Sequence, residues 1–468
     1  MDILDQLREI VGHSQVLNGD DAERYSADWL KQYHWKPLAV VRPANTAEVA
    51  SVVKFADQNK LSIVPMGGNT GLTGATRAQD CIVITMERMS KIRDIRQDAK
   101  VAIVEAGAIL SNVHSAVDDH DLVFPLTFGA KGSATIGGVI GTNAGGSNVL
   151  RYGNTRDLVL GLEVVTPSGA IMDLMSELHK DNSGYNLRNL IIGAEGSLGI
   201  VTAAVLKLAP KPRAFATAMV AVRSLSDALR LLNDIQTNTG GAVEAFEYMP
   251  RAYIERHLAQ IAGARTPFES VHDINIMVEV GTTIPMMAQS DETGQTRIVS
   301  QLQSILESMF EDGAVLDAVV AQNEAQRREM WERREAAAEL TLTLPNLINN
   351  DVAVPLDKVE SFLSVADKKV ANVDPAARIF VVAHLGDGNI HYSVSASQND
   401  TILKDTIMEA VEDVVLEFRG SFSAEHGIGT SKLSSMRRRK DATSIEMMRQ
   451  IKNAIDPNGT LNPGKLLP

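Results

Sequence analysis

The chain has 468 residues, with 45 Lys and Arg against 58 Asp and Glu, a formal net charge of −13. That acid excess excludes the basic face a nucleic-acid partner needs, so the local MRRRK run at 436–440 is read as a solvated helix surface. A hydrophobic content of 44% with 22% charged residues is that of a soluble globular protein, too long for a single core and suited to two or three domains. Cys81 is the single cysteine, which excludes an intrachain disulfide and fits a reducing compartment.

The N-terminal MDILDQLREIVG is acidic and amphipathic, with no signal-peptide pattern, and no apolar run reaches the length of a membrane span. A cytoplasmic protein is expected. After that short helix, LAVVR forms a strand. NTAEVASVVKFADQNK forms a helix with Asn45 and Glu48 at N-cap and N3 spacing. The next strand, 61–66, runs straight into PMGGNTGLTGA (65–75), completing a β-α-β unit that ends in a glycine loop. The Rossmann G-x-G-x-x-G and Walker A patterns are missing. CIVITM and VAIVEAG then read as strands and AILSNVHSAVDDHD as a helix.

A second glycine stretch, GSATIGGVIGTNAGG (132–146), has six glycines among fifteen residues and no charged side chain. Two such stretches suit a phosphate or pyrophosphate held by backbone N–H groups. The alternative is a crowded turn or a close helix–sheet contact. DLVLGLEVVTPSGAIMDL then gives two β-runs joined at a Pro-Ser-Gly turn, and 191–202 a helix-compatible run with a third glycine cluster.

Past Pro210 and Pro212 the pattern changes. Segments 222–238, 296–310, 359–373 and 402–418 read as helices, and INIMVEVG, RIFVVAHLG and NIHYSVSA as strands. This suggests an α+β layer covering a site on the first domain. A helix over 443–455 and the tail DPNGTLNPGK close the chain.

HLGDGNIH (384–391) carries a two-residue hairpin signal at Asp387-Gly388. With the turn centred there, His384 pairs with His391, Cβ atoms about 5 Å apart on one face. Two such imidazoles either share a metal or are a pair without a ligand. SFSAEHG (421–427) adds Glu425 and His426 at the end of a short strand, and two His with one carboxylate make a three-ligand site with an open position.

The stretches PMGGNTGL (65–72), GSATIGG (132–138) and GAEGSLGI (193–200) resemble the FAD-binding fold of the vanillyl-alcohol oxidase superfamily. With the C-terminal motifs, nearly the whole chain is similar to the D-lactate and D-2-hydroxyglutarate dehydrogenase group. The resemblance implies an α+β protein with three parts: a two-subdomain FAD-binding domain at 1–212, an α+β substrate (cap) domain at 213–420, and a C-terminal helical return at 421–468.

It also implies non-covalent FAD and a set of contacts. These are Pro65, Gly67, Gly68, Asn69, Thr70, Gly71, Leu72, Gly74, Pro125, Gly132, Ser133, Thr135, Ile136, Gly137, Gly138, Asn143, Gly145, Gly146, Tyr152, Glu195, Gly196, Gly199, Ile200 and Asn462. Covalent members often carry His where Asn69 stands. A divalent metal, zinc in the family's usual case, is implied at His384, His391 and Glu425, with His426 as catalytic base. Trp331-Glu-Arg-Arg334-Glu335 resembles the W-x-x-R-E stretch whose arginine, here Arg334, meets the substrate carboxylate. Arg333 is expected on the helix surface.

The 2-hydroxyglutarate branch holds its substrate with a Thr, a Lys and an Asn where this chain has Ala338, Asn349 and Ser393. The expected activity is therefore oxidation of a small, D-lactate-like 2-hydroxy acid, with 2-hydroxyglutarate or a flavin-oxidase reaction as alternatives. The metal lowers the hydroxyl pKa, His426 takes the proton, and the C2 hydride passes to flavin N5. A metal-dependent hydrolase could use the same His and Glu residues but would not need the glycine stretches. A non-catalytic flavoprotein would tolerate loss of His426. The electron acceptor and the oligomeric state, a homodimer included, are left open by the sequence.

Overall fold

The computed structural model describes residues 2–292 and 294–468. The chain forms two compact units. One comprises the residues up to Gly145, Tyr152–Pro210 and Glu425–Pro468; the other comprises Gly146–Arg151 and Lys211–Ala424.

The first unit holds two main sheets. In one, the strands Ala39–Val41, Ile82–Thr85 and Ile63–Met66 lie parallel, flanked by Val16–Leu17. Parallel strands need helical crossovers, and Thr46–Gln58 supplies one. Asn45 caps that helix, its Oδ1 accepting the Glu48 N–H at 2.9 Å, as the spacing predicts. The other sheet is antiparallel, in the order Ile92–Arg96, Val101–Glu105, Ile200–Lys207, Val159–Val165, Ile171–Leu174. The expected turn at Pro167-Ser-Gly169 joins its last two strands, with Gly169 at φ +77°. Aliphatic side chains from both sheets and their helices form one core.

The 132–146 stretch is not a continuous loop. Its middle is the helix Ile136–Thr142, capped by Thr135 and ended by Asn143 in the left-handed region. Gly137 presses on the neighbouring chain: a Cβ there would lie 3.0 Å from the Ala106 Cβ. The close helix–sheet contact weighed from the sequence is thus present at this glycine.

The second unit is one antiparallel sheet of seven strands, in the order Val315–Val320, Ala214–Val222, Ile274–Thr282, Val243–Pro250, Arg378–His384, Asn389–Ser395, Leu347–Ala353. Helices cover both faces. Leu225–Thr239, Arg297–Glu311, Val359–Val373 and Thr401–Glu417 pack on one face, and Arg251–Gln260, Glu324–Glu335 and Ala337–Leu342 on the other. The residues Gly146–Arg151 are tied to this sheet through Arg151, which donates to the Glu244 carboxylate at 2.5 Å and the Gly281 carbonyl at 2.8 Å. Among the described residues, no helix is long and apolar enough to cross a membrane.

Candidate active site

The first unit packs its glycine stretches closely against one another. A Cβ on Gly67 would lie 2.4 Å from the Thr135 Oγ1, one on Gly68 1.9 Å from the Ser133 carbonyl oxygen, and one on Gly196 2.3 Å from Pro65. Only glycine allows all three approaches. The first N–H groups of the Ile136–Thr142 helix are taken up: Ile136 bonds to Ala108 O at 2.9 Å, Gly137 to Ala106 O at 2.7 Å, and Gly138 to Thr135 Oγ1 at 3.3 Å. The 65–75 loop differs. Among the described residues, the N–H groups of Gly68, Asn69, Thr70, Gly71 and Leu72 have no protein acceptor.

Asn69 stands at φ +53° and is held by its side chain, which donates to Ala27 O at 2.8 Å and accepts from Thr76 at 2.7 Å. Asn462, on the C-terminal tail, donates to Glu195 O at 2.7 Å, and its buried Oδ1 has no partner among the described residues. Gly71 and Gly132 face open space. Unpaired N–H groups, an orphaned buried amide oxygen and exposed glycines are what a dinucleotide with a pyrophosphate would satisfy, so these residues fit FAD. Of the remaining expected contacts, Pro125 is buried, Gly199 abuts Val164, Ile200 opens a strand, and Tyr152 packs on the core. Gly74, at φ +68°, packs on Tyr33 and Thr430; Gly145 closes this unit's first segment, and Gly146 begins the second unit.

In the second unit the period-two alternation of the strands puts a polar row on the face that also packs the Glu324–Glu335 helix. The expected hairpin register is corrected here. His384 pairs with Asn389, and His391 with Val382, so the connection has four residues rather than two. The turn signal misled because Leu385 is buried core and Asp387 accepts the Asn389 N–H at 3.0 Å, which together widen the turn. His384 and His391 still share a face, as diagonal neighbours, with ring centroids 5.3 Å apart.

Glu247, on the adjacent strand and opposite His384, was not anticipated. Its carboxylate is 1% exposed, takes the Arg334 Nε at 2.7 Å and lies 2.9 Å from the His384 Nδ1. Burial alone would raise this carboxyl, but the charges and hydrogen bonds of His384 and Arg334 outweigh it and hold the carboxyl below its ordinary range. The sequence signal was a pair of acids, Glu244 and Glu247, inside the otherwise apolar strand VEAFEYMP.

Asp351, fully buried and directly opposite His391, was missed too; its Oδ1 lies 3.8 Å from the His391 Nδ1. Both belong to a group of His and carboxylate side chains able to hold a metal ion. At the turn, burial pushes Asp387 up to about 6 against the opposing pull of His384.

Trp331 and Arg327 of the Glu324–Glu335 helix both bond to the buried Glu279, at 2.9 and 2.7 Å, which orients the helix and turns Arg334 toward Glu247. Arg333 is a correction: it is 3% exposed, not on the surface, and it donates to Arg265 O at 3.0 Å. Inward packing of this helix through Met330 and Trp331 carries it inside.

The strand expected over 421–424 is an isolated bridge from Ser421 to Ala353, followed by an Ala424 N–H bond to Asp351 O at 3.2 Å. Glu425 and His426 come next in the chain and are counted with the first unit. There the Thr73 hydroxyl donates to His426 O at 3.2 Å.

Comparison with known proteins bears on the fold and the family. The chain matches the FAD binding domain family over residues 37–175 and the C-terminal domain of FAD linked oxidases over 211–466. A D-2-hydroxyglutarate dehydrogenase of Xanthomonas citri is 36% identical over 95% of this chain and 92% of its own length. The mitochondrial enzyme of that name from Arabidopsis thaliana is 34% identical over 98% and 80%. A putative mitochondrial D-lactate dehydrogenase of Schizosaccharomyces pombe is 31% identical over 95% and 84%.

Among solved structures, p-cresol methylhydroxylase superposes with a TM-score of 0.74 at 15% identity, over 99% of this chain and 95% of that one. Alkyldihydroxyacetonephosphate synthase gives 0.71 at 17%, over 98% and 84%. The fold is the vanillyl-alcohol oxidase type, and the chain belongs to the FAD-linked oxidase family. Within that family it is an FAD-dependent D-2-hydroxy-acid dehydrogenase.

Proposed function

We propose that the preferred substrate is a short D-2-hydroxy monoacid, oxidised to the 2-oxo acid. The observation that carries this reading is the state of the positions where a distal carboxylate would need a cation. Ala338 has no polar group, and Asn349 and Ser393 bond to each other at 3.0 Å across paired strands. An unpaired buried charge is costly, so a second carboxylate is disfavoured.

The 65–75 loop and Asn462 hold FAD non-covalently, and bound FAD supplies the hydride acceptor. His384, His391 and Glu425 would hold a divalent metal, zinc in our assignment, which would polarise the substrate hydroxyl, and Asp351 lies against His391. His426 accepts the hydroxyl proton. Arg334, fixed through Nε by Glu247 and with its Nη2 3.5 Å from the His384 Nδ1, meets the substrate carboxylate. Glu247 against the His384 Nδ1 fixes the orientation of that ring.

The cytoplasm is the proposed location, in keeping with the lone, buried Cys81. A second reading, D-2-hydroxyglutarate itself, is favoured by the names of the relatives from Arabidopsis and Xanthomonas. Steady-state kcat/KM for D-lactate and D-2-hydroxyglutarate decides between them. A higher value for D-lactate is expected; the reverse order would assign the distal contact to another cation, with Lys432 the first to replace.

A further inference from the structure

Glu195 lies in the turn of the third glycine stretch, in the left-handed region at φ +50°, and is 6% exposed. A non-glycine residue there carries strain that its surroundings must offset. Three segments of the first unit do so. The Glu195 N–H bonds to Gly141 O at 2.8 Å, and its carbonyl accepts from Asn462 at 2.7 Å. Its carboxylate accepts the N–H of Ile428 at 2.6 Å through one oxygen and of Gly429 at 2.8 Å through the other. Gly427 completes the fit, because a Cβ there would lie 2.5 Å from the Glu195 Oε1.

Beyond the clamp, Thr73 O takes the N–H of Thr430 at 2.9 Å and of Ser431 at 3.0 Å, and the Thr73 hydroxyl reaches His426 O at 3.2 Å. The backbone carrying His426 is therefore gripped at 426, at 428–429 and at 430–431. Both carboxylate oxygens of Glu195 serve the middle grip.

We propose that Glu195 is a positioning residue for His426: it fixes the direction of that imidazole by clamping residues 428–429, and its carboxylate does not bind the cofactor. This rests on the reading of His426 as the base. A glutamine can accept one of the two N–H groups but faces the other with a donor, so Glu195→Gln loosens the clamp at nearly constant volume.

In the purified FAD-loaded enzyme, stopped-flow flavin reduction by D-lactate or D-2-hydroxyglutarate, whichever is faster, should slow by about tenfold to a hundredfold in Glu195→Gln. KM and the FAD dissociation constant should stay within about twofold of the parent, a split that general loss of structure would not give. Glu195→Asp keeps two acceptors and should recover part of the rate; if the glutamine variant does not fold, Asp carries the comparison. The double variant Glu195→Gln/His426→Asn should be no slower than His426→Asn alone, since the clamp acts only through the imidazole.

Full additivity in the double variant overturns the clamp. So does weaker FAD binding whose excess ligand restores the rate, which would make Glu195 a cofactor contact. Wild-type flavin reduction in His426→Asn would instead overturn the reading of the base, whatever Glu195 does.

Discussion

In the first unit the groups that would meet a ligand are mostly of the backbone, whereas in the second they are side chains on one face of a sheet. Among the described residues, the 65–75 loop has a run of N–H groups without protein acceptors, at positions where glycine lets the chain approach its neighbours. The seven-stranded sheet instead projects Glu247, His384, His391 and Asp351 from paired strands and satisfies them with one another and with Arg334. A backbone cradle is insensitive to most side-chain changes and vulnerable to an added Cβ. A side-chain row is the reverse, because each member leaves a partner buried and unpaired when removed.

The largest effect is expected at the base. His426→Asn should keep FAD and metal near full occupancy while slowing single-turnover flavin reduction by about two to four orders of magnitude. His391→Ala should lose metal and turnover together, with added metal restoring part of the activity. Elemental analysis and flavin bleaching on both variants check this. Metal loss in His426→Asn with retention in His391→Ala would exchange the two roles.

A smaller effect separates two buried acids on the same sheet face. Glu247 holds Arg334 and His384, whereas Glu279 holds Arg327, Trp331 and Thr217. Either Glu→Gln change breaks a buried pair and should lower the melting temperature. Only Glu247→Gln touches a candidate metal ligand, so it alone should weaken metal binding, by about tenfold to a hundredfold. The depressed folded pKa of Glu247 also has a sign: it contributes stability above the ordinary carboxylate range that is lost as pH falls through the folded value. Glu247→Gln should lack that acid-side loss in a melting series from pH 7 down to about pH 3. Equal metal loss in both variants would show that sheet integrity, not the His384 contact, governs the site.

The same contrast explains what could be read from the sequence. Glycine clusters announce themselves by composition, so the cofactor loops were legible; that the middle of 132–146 is helical was not, because IGGVIGT has poor helix formers and is stabilised by tertiary contact with Ala106. In the second unit only three of seven strands were found. Ala214–Val222 (AFATAMVAV) is buried along most of its length, so it lacks the alternation of a half-exposed strand, and its alanines give little strand propensity. The histidines were visible as residue types, but Glu247 and Asp351 join them only through strand pairing distant in sequence, with His384 lying 137 residues beyond Glu247. The hairpin register failed for a local reason: Asp387-Gly388 has turn chemistry, yet the burial of Leu385 fixed a longer connection.

The smallest effect tests the backbone cradle by placing one methyl group at each of two glycines. At Gly68 the new Cβ would lie 1.9 Å from the Ser133 carbonyl oxygen, so the two glycine stretches must separate. Gly68→Ala should therefore destabilise the apoprotein by about 1–3 kcal/mol, the usual cost of forced overpacking. At Gly71 no atom lies within 4 Å, and no positive φ forbids alanine. Gly71→Ala should leave the apoprotein unchanged or raise its stability by about 0.4–1 kcal/mol through a less flexible unfolded chain. If the 65–75 N–H groups face the cofactor, that same methyl group stands in the ligand's path, and FAD affinity should fall although the protein is no less stable. Thermal melts of apoprotein with fluorescence titration of FAD read the two quantities separately. Loss of stability without loss of affinity at Gly71 would mean that the unpaired N–H groups of this loop do not meet the cofactor.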